Sequence, residues 1–197
     1  MKRLIFYVFL TVLFLLPKVN IAQNNNAVSC SSLYVNLGIG IVPSGPIFGV
    51  GINTLYSNNW GGSFAFNHNQ WQSDNLPSNY ARGIMNNIPV DFINSFAIRA
   101  VKIFPNIENK IRFGLEGGLN LLQYEKKYFV INPYPGWFGS NYNEIYTDEH
   151  TIGISLKAKA EICVMKYFGL QVGVISNINQ YQSYIGGELQ LITGKLR

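Results

Sequence analysis

The chain is poor in the residues that most chemistry needs. It has two histidines and two cysteines among 197 residues, and only 13% of its residues are charged. No Cys/His spacing matches a metal site. No Gly-x-Ser-x-Gly elbow and no His-x-Ser pair occur. Long apolar runs are missing too, except at the N-terminus. There Lys2 and Arg3 precede an apolar stretch, Leu4 to Leu16, that Pro17 ends. That stretch is shorter than the ~20 residues of a membrane-spanning helix and suits a secretory signal peptide. Cleavage is expected after Ala22, giving a leader over 1–22 and a polar, flexible segment over 23–31. A lipoprotein signal ending at Cys30 is rejected, because the polar stretch Gln23–Asn26 separates Cys30 from the apolar core.

Excess charge is also largely absent. The formal net charge is +5. Removing Lys2, Arg3 and Lys18 with the leader leaves 12 basic against 10 acidic residues, a net charge of +2. That excludes a nucleic-acid footprint. No cofactor motif is present. Cys30 and Cys163 can oxidise in an exported chain, or remain thiols.

What is abundant is alternation. From Thr151 to Cys163 every even position is apolar and every odd one small or polar: Ile152, Ile154, Leu156, Ala158, Ala160 and Ile162 against Thr151, Gly153, Ser155, Lys157, Lys159, Glu161 and Cys163. Period two predicts a strand with one apolar face. Its length suits the ~9–11 residues of a transmembrane β-strand. The pattern recurs eight times. The predicted strands lie near 33–41, 48–53, 60–67, 90–104, 111–121, 151–163, 168–174 and 184–191, and Asn94 interrupts the apolar face of the fourth. Residues His68–Pro89 and Tyr124–His150 read as long loops, and the other connections as short turns. The expected architecture is all-β: an eight-stranded antiparallel up-and-down transmembrane β-barrel over 32–197.

The export signal, eight alternating strands, long loops of one parity and terminal Gly194–Arg197 resemble the small OmpA/OmpX-type outer-membrane barrels of Gram-negative bacteria. The resemblance implies an outer-membrane location, lipid around the barrel, a possible extracellular ligand or protein at the loops, and a monomer. One departure is the end of the chain, which lacks the terminal aromatic residue of many such barrels. Both long loops would then be extracellular. Aromatic girdles are expected at both rims: Tyr56, Trp60, Phe104, Tyr167 and Phe168 at one, and Phe48, Phe66, Trp71, Phe92, Tyr124, Tyr181 and Tyr184 at the other.

Polar-face residues become lumen residues. Arg99, Arg112, Glu116, Lys157, Lys159, Glu161 and Glu188 form the expected charge network, and they should plug so narrow an interior. Facing positions of strands five and six should sum to 273, pairing Arg112 with Glu161 and Glu116 with Lys157, and Gly114 leaves room beside Lys159. Expected exposed contacts are Trp71, Tyr80, Tyr128, Trp137, Phe138, Tyr142 and Tyr146, which aromatic loops suit. Two other readings compete. A soluble exported β-sandwich or lipocalin-like binding protein would put the lysines in water. A lipid-modifying enzyme would need His68, Ser73, Asp74 and His150 to converge. The many polar-face glycines favour the membrane barrel, and no catalytic or metal-binding residue is assigned.

Overall fold

The computed structural model describes residues 30–81, 88–105, 111–134 and 139–196. The leader and the segment that follows it therefore lie outside the described residues. Eight strands follow in order: β1 (Cys30–Val42), β2 (Gly45–Tyr56), β3 (Trp60–Gln72), β4 (Val90–Pro105), β5 (Ile111–Ile131), β6 (Tyr142–Ile162), β7 (Phe168–Ile178) and β8 (Tyr184–Lys195). Each pairs antiparallel with the next, and β8 pairs with β1, so the sheet closes into a barrel.

Closure carries a fixed stagger. Followed strand to strand from His150, the ladder passes Gln123, Asn94, His68, Phe48, Ile39, Leu189 and Val172 and returns to β6 at Ala160, ten residues further on. Such a stagger tilts the strands by roughly 40°. Both described ends of the chain, Cys30 and Leu196, sit at one end of the barrel, here called the lower end.

The predicted alternation is realised around the ring, with the usual order of a soluble protein inverted. Apolar side chains point out: Ile39 is 67% exposed, Leu119 63% and Ile185 64%. Charged and amide side chains point in and are buried, including Lys157, Lys159, Glu161 and Gln171. Side chains of a narrow closed sheet meet across the middle, so small residues are needed. At Gly118 a Cβ would run into the Ile98 carbonyl and lie 2.7 Å from Arg99 Cα. At Gly114 it would lie 2.9 Å from Lys159 Cε, the room expected there.

Apolar side chains close the interior at both ends. Tyr34, Leu55, Val101, Ile103, Cys163, Ile192 and Leu196 form a floor at the lower end. Val42, Ile47, Ile175 and Tyr184 form one upper cluster, and Trp71, Ile93, Leu122 and Tyr124 another. Trp71, Tyr124 and Tyr184, expected in the outer girdle, are therefore lumen residues. Their parity on each strand is inward, which outweighs their place near a rim. Trp71 is likewise buried rather than an exposed contact. Tyr56, Trp60, Phe104, Tyr167 and Phe168 are exposed at the lower rim.

The two long loops are shorter than expected. β3 runs on to Gln72, and β5 and β6 stay paired up to Ile131–Tyr142, leaving 132–141 as their loop. Beyond Leu121 the next outward positions, Gln123, Glu125 and Lys127, are polar, so hydrophobic alternation stops while the ladder continues. Asn94, which interrupts the outward face of β4, lies opposite His68 and 2.7 Å from its Nδ1, so two outward polar groups satisfy each other.

Candidate functional site: the charged lumen and the upper ribbon

The lumen network is assembled from strands far apart in sequence. β5 and β6 carry most of it in the 273 register, with Arg112 opposite Glu161 and Glu116 opposite Lys157. Arg112 Nη2 lies 2.6 Å from Glu161 Oε2, and Nη1 donates to the Leu196 carbonyl at 2.7 Å. The second expected pair does not bond. Glu116 instead takes Lys159 at 2.7 Å and Arg99 at 3.3 Å. Lys159 also reaches Glu161 at 2.8 Å, and Lys157 pairs with Glu188 from β8. The reason is ring closure. β4 and β8 bring Arg99 and Glu188 to the axis, so Lys157 bonds across the lumen to Glu188 while Glu116 is shared by Arg99 and Lys159.

Polar residues that sequence reasoning did not single out complete the set. Tyr34 donates its hydroxyl to Glu161 at 2.6 Å and accepts from Lys159 at 3.2 Å. Arg99 Nε donates to Ser155 Oγ at 2.8 Å. Gln190 accepts from Asn36, Gln171 and Lys157 and donates to Glu188 at 3.2 Å. Inward parity marks every one of these as a lumen residue. Their partners could not be read the same way, because Tyr34 and Glu161 are 127 positions apart. Charges taken out of water must be paired and hydrogen-bonded, and this arrangement does both.

The upper end is a two-stranded ribbon. β4 pairs with β5 only up to Phe92–Glu125, and β7 with β6 only up to Ile178–Ile154. Residues 126–131 and 142–147 therefore stand above their neighbours. Segment 73–81 is strapped along the ribbon. Asn75 Nδ2 donates to the Lys127 carbonyl at 2.8 Å, and the Tyr142 hydroxyl to Asn79 Oδ1 at 2.7 Å. Asn141 donates to Asn79 O and accepts from the Ala81 amide, both at 2.8 Å. Tyr80 lies between Phe129 and Tyr142, with ring centroids 5.6 and 6.2 Å away. Lys127 Nζ lies 3.0 Å from Glu144 Oε2 and over the Tyr146 ring. Burial disfavours the Lys127 cation, but the Glu144 hydrogen bond and charge outweigh it and hold this ammonium above the ordinary lysine value.

Of the expected contact residues, Tyr128 and Tyr146 are exposed, while Tyr80 and Tyr142 are half-buried against the ribbon. Trp137 and Phe138 lie outside the described residues. So does the Cys30 side chain, and with it the question of a bridge to the buried Cys163. The four residues an enzyme would need do not converge. His68 and His150 point outward on strands three ladder steps apart, roughly 14 Å, whereas Ser73 is buried. Among the described residues no group of three or more metal-type side chains occurs, and no helix is long and apolar enough to cross a membrane.

No protein-family model matches the sequence, and no curated relative does. Solved structures do match. The N-terminal β-barrel domain of Pseudomonas aeruginosa OprF superposes with a TM-score of 0.55 at 9% identity, over 84% of this chain and 98% of that one. The fold is that of the OmpA/OmpX-type outer-membrane barrels. The Yersinia pestis protein Ail, whose backbone structure was determined in a phospholipid bilayer nanodisc, gives a TM-score of 0.50 at 10% identity, over 83% of this chain and 99% of that one. At 9–10% identity the likeness is one of fold, and the inward residues and the ribbon are this chain's own.

Proposed function

We propose that the protein is an integral, non-enzymatic outer-membrane barrel, exported by its signal peptide, whose lumen is plugged and whose upper ribbon and 73–81 strap make contacts outside the cell. The observation that carries this reading is the inverted surface, apolar outside and charged within. On β5 the outward apolar positions run from Ile111 to Leu121, then give way to Gln123 and Glu125. At a tilt of roughly 40° that run covers about 25 Å along the barrel axis, the height of the apolar band of outer-membrane barrels. A solvated sandwich has no use for such a band.

Plugging follows from the interior. Eight strands leave space for side chains and little more, and here an ionic layer lies between an apolar floor and two apolar upper clusters. Contact falls to the ribbon, where Tyr128, Val130, Ile131, Ile145 and Tyr146 are exposed beyond the band. Scattered exposed side chains are ordinary, but a cluster on a projecting element marks an interaction surface. Protease treatment of intact cells tests location and orientation together. Cleavage within 132–141, with a protected barrel fragment in the membrane fraction, is expected. Recovery of the intact chain in the soluble fraction without detergent would overturn the reading.

A further inference from the structure

The charges outside the lumen are segregated by end. Among the described residues, the carboxylates Asp74, Glu125, Glu144, Asp148 and Glu149 are all at the upper end, with only Lys126 and Lys127 to oppose them. At the lower end stand Lys102, Lys166 and Lys195, and no described carboxylate outside the lumen accompanies them.

The three lysines stand on the lower rim. Lys102 faces outward opposite Trp60, its Nζ 4.9 Å from the indole ring and 3.3 Å from the Asn58 carbonyl. Lys166, in the β6–β7 turn, holds its Nζ 5.3 Å from the ring of Tyr167. Lys195 ends β8 on the outward face opposite Leu33. Trp60 and Tyr167 are 50% and 58% exposed. Such rings settle at headgroup depth, and an ammonium held over each ring then lies at the level of lipid phosphates. The β3–β4, β6–β7 and β8–β1 sectors each contribute one cation, so the charge surrounds the rim instead of forming one patch.

We infer that the lower rim is a docking surface for anionic phospholipid headgroups, with Lys102, Lys166 and Lys195 receiving the phosphates. This inference rests on the membrane reading.

The test uses the full folded chain in vesicles of phosphatidylcholine alone and of phosphatidylcholine with about one-third phosphatidylglycerol, with the urea unfolding equilibrium read in each. Wild type is compared with Lys102→Gln/Lys166→Gln/Lys195→Gln and with the charge-keeping Lys102→Arg/Lys166→Arg/Lys195→Arg. The gap between wild type and the glutamine variant should widen in the anionic vesicles by about fivefold per lysine at low salt. It should shrink again at about 0.5 M salt, and the arginine variant should behave as wild type. A gap equal in both lipids would show a merely structural role and overturn the inference. If the glutamine variant does not fold, an equal wild-type stability in both lipids overturns it just as well. Failure of wild type to insert into either vesicle would instead remove the membrane reading itself.

Discussion

Glu116 stands opposite Lys157 on the neighbouring strand, yet its carboxylate lies 2.7 Å from the ammonium of Lys159, two residues further along β6. Lys157 turns across the lumen to Glu188. The backbone ladder sets which residues are neighbours, and the closed ring sets which neighbours bond.

That relationship decides how a charge deletion can be rescued. Glu116→Gln leaves Lys159 and Arg99 short of a carboxylate at a buried site, a loss of about 3–5 kcal/mol. Arg99→Met added to it should recover part of the loss, since it removes one of the stranded charges. Lys157→Met should not recover any, because it leaves Glu188 without its cation. Urea unfolding of the three variants in detergent micelles checks the order, and rescue by Lys157→Met alone would reject the network as described.

Leu156 and Val130 are similarly exposed, at 46% and 51%. Leu156 lies within the apolar band, and Val130 lies on the ribbon above it. Leu156→Arg should cost about 2–4 kcal/mol near the bilayer midplane, and Val130→Arg close to nothing. Folding measured in lipid vesicles separates them. Equal tolerance of the two substitutions is the result a water-soluble barrel would give.

Glycines divide by face. Gly118→Ala drives a methyl into the backbone of β4, where nothing flexible can yield, so a cost of about 1–3 kcal/mol is expected. Gly187 faces outward with nothing within 4 Å of a new Cβ. Gly187→Ala should be neutral or slightly stabilising, because glycine weakens a strand. Thermal unfolding of the pair measures the difference.

Lys126 and Lys127 are adjacent on the ribbon but differ in their partners. Glu144 raises the Lys127 value, so less of that amine is neutral at any pH below its titration, and only the neutral amine reacts with an acylating reagent. A membrane-impermeant amine reagent on whole cells should modify Lys126 ahead of Lys127. Glu144→Gln should bring the Lys127 rate up by lowering that value. Peptide mapping of the labelled protein reads both rates.

Much of the barrel is legible in the amino-acid sequence. Alternation located all eight strands and their inward faces, because lipid or solvent on one side and a crowded axis on the other impose period two. The β5–β6 register followed from charge signs, and the Arg112–Glu161 pair with it. The reading stopped where alternation stopped. β3, β5 and β6 continue past the apolar band as paired strands in which polar and aromatic residues share both faces, so their upper halves read as loops. Trp71, Tyr124 and Tyr184 looked like girdle residues because they lie near a rim, although parity turns them inward.

Local order, then, belongs to the sequence: strand number and face assignment depend on period two along each strand, and hairpin register on the charge signs of two consecutive strands. Partner choice in the lumen belongs to the tertiary structure. Tyr34 meets Glu161 and Lys157 meets Glu188 because β8 pairs with β1 and the ten-residue stagger of closure brings distant strands to one depth. Within that narrow, water-poor interior, a buried charge bonds whichever opposite charge the ring carries to it.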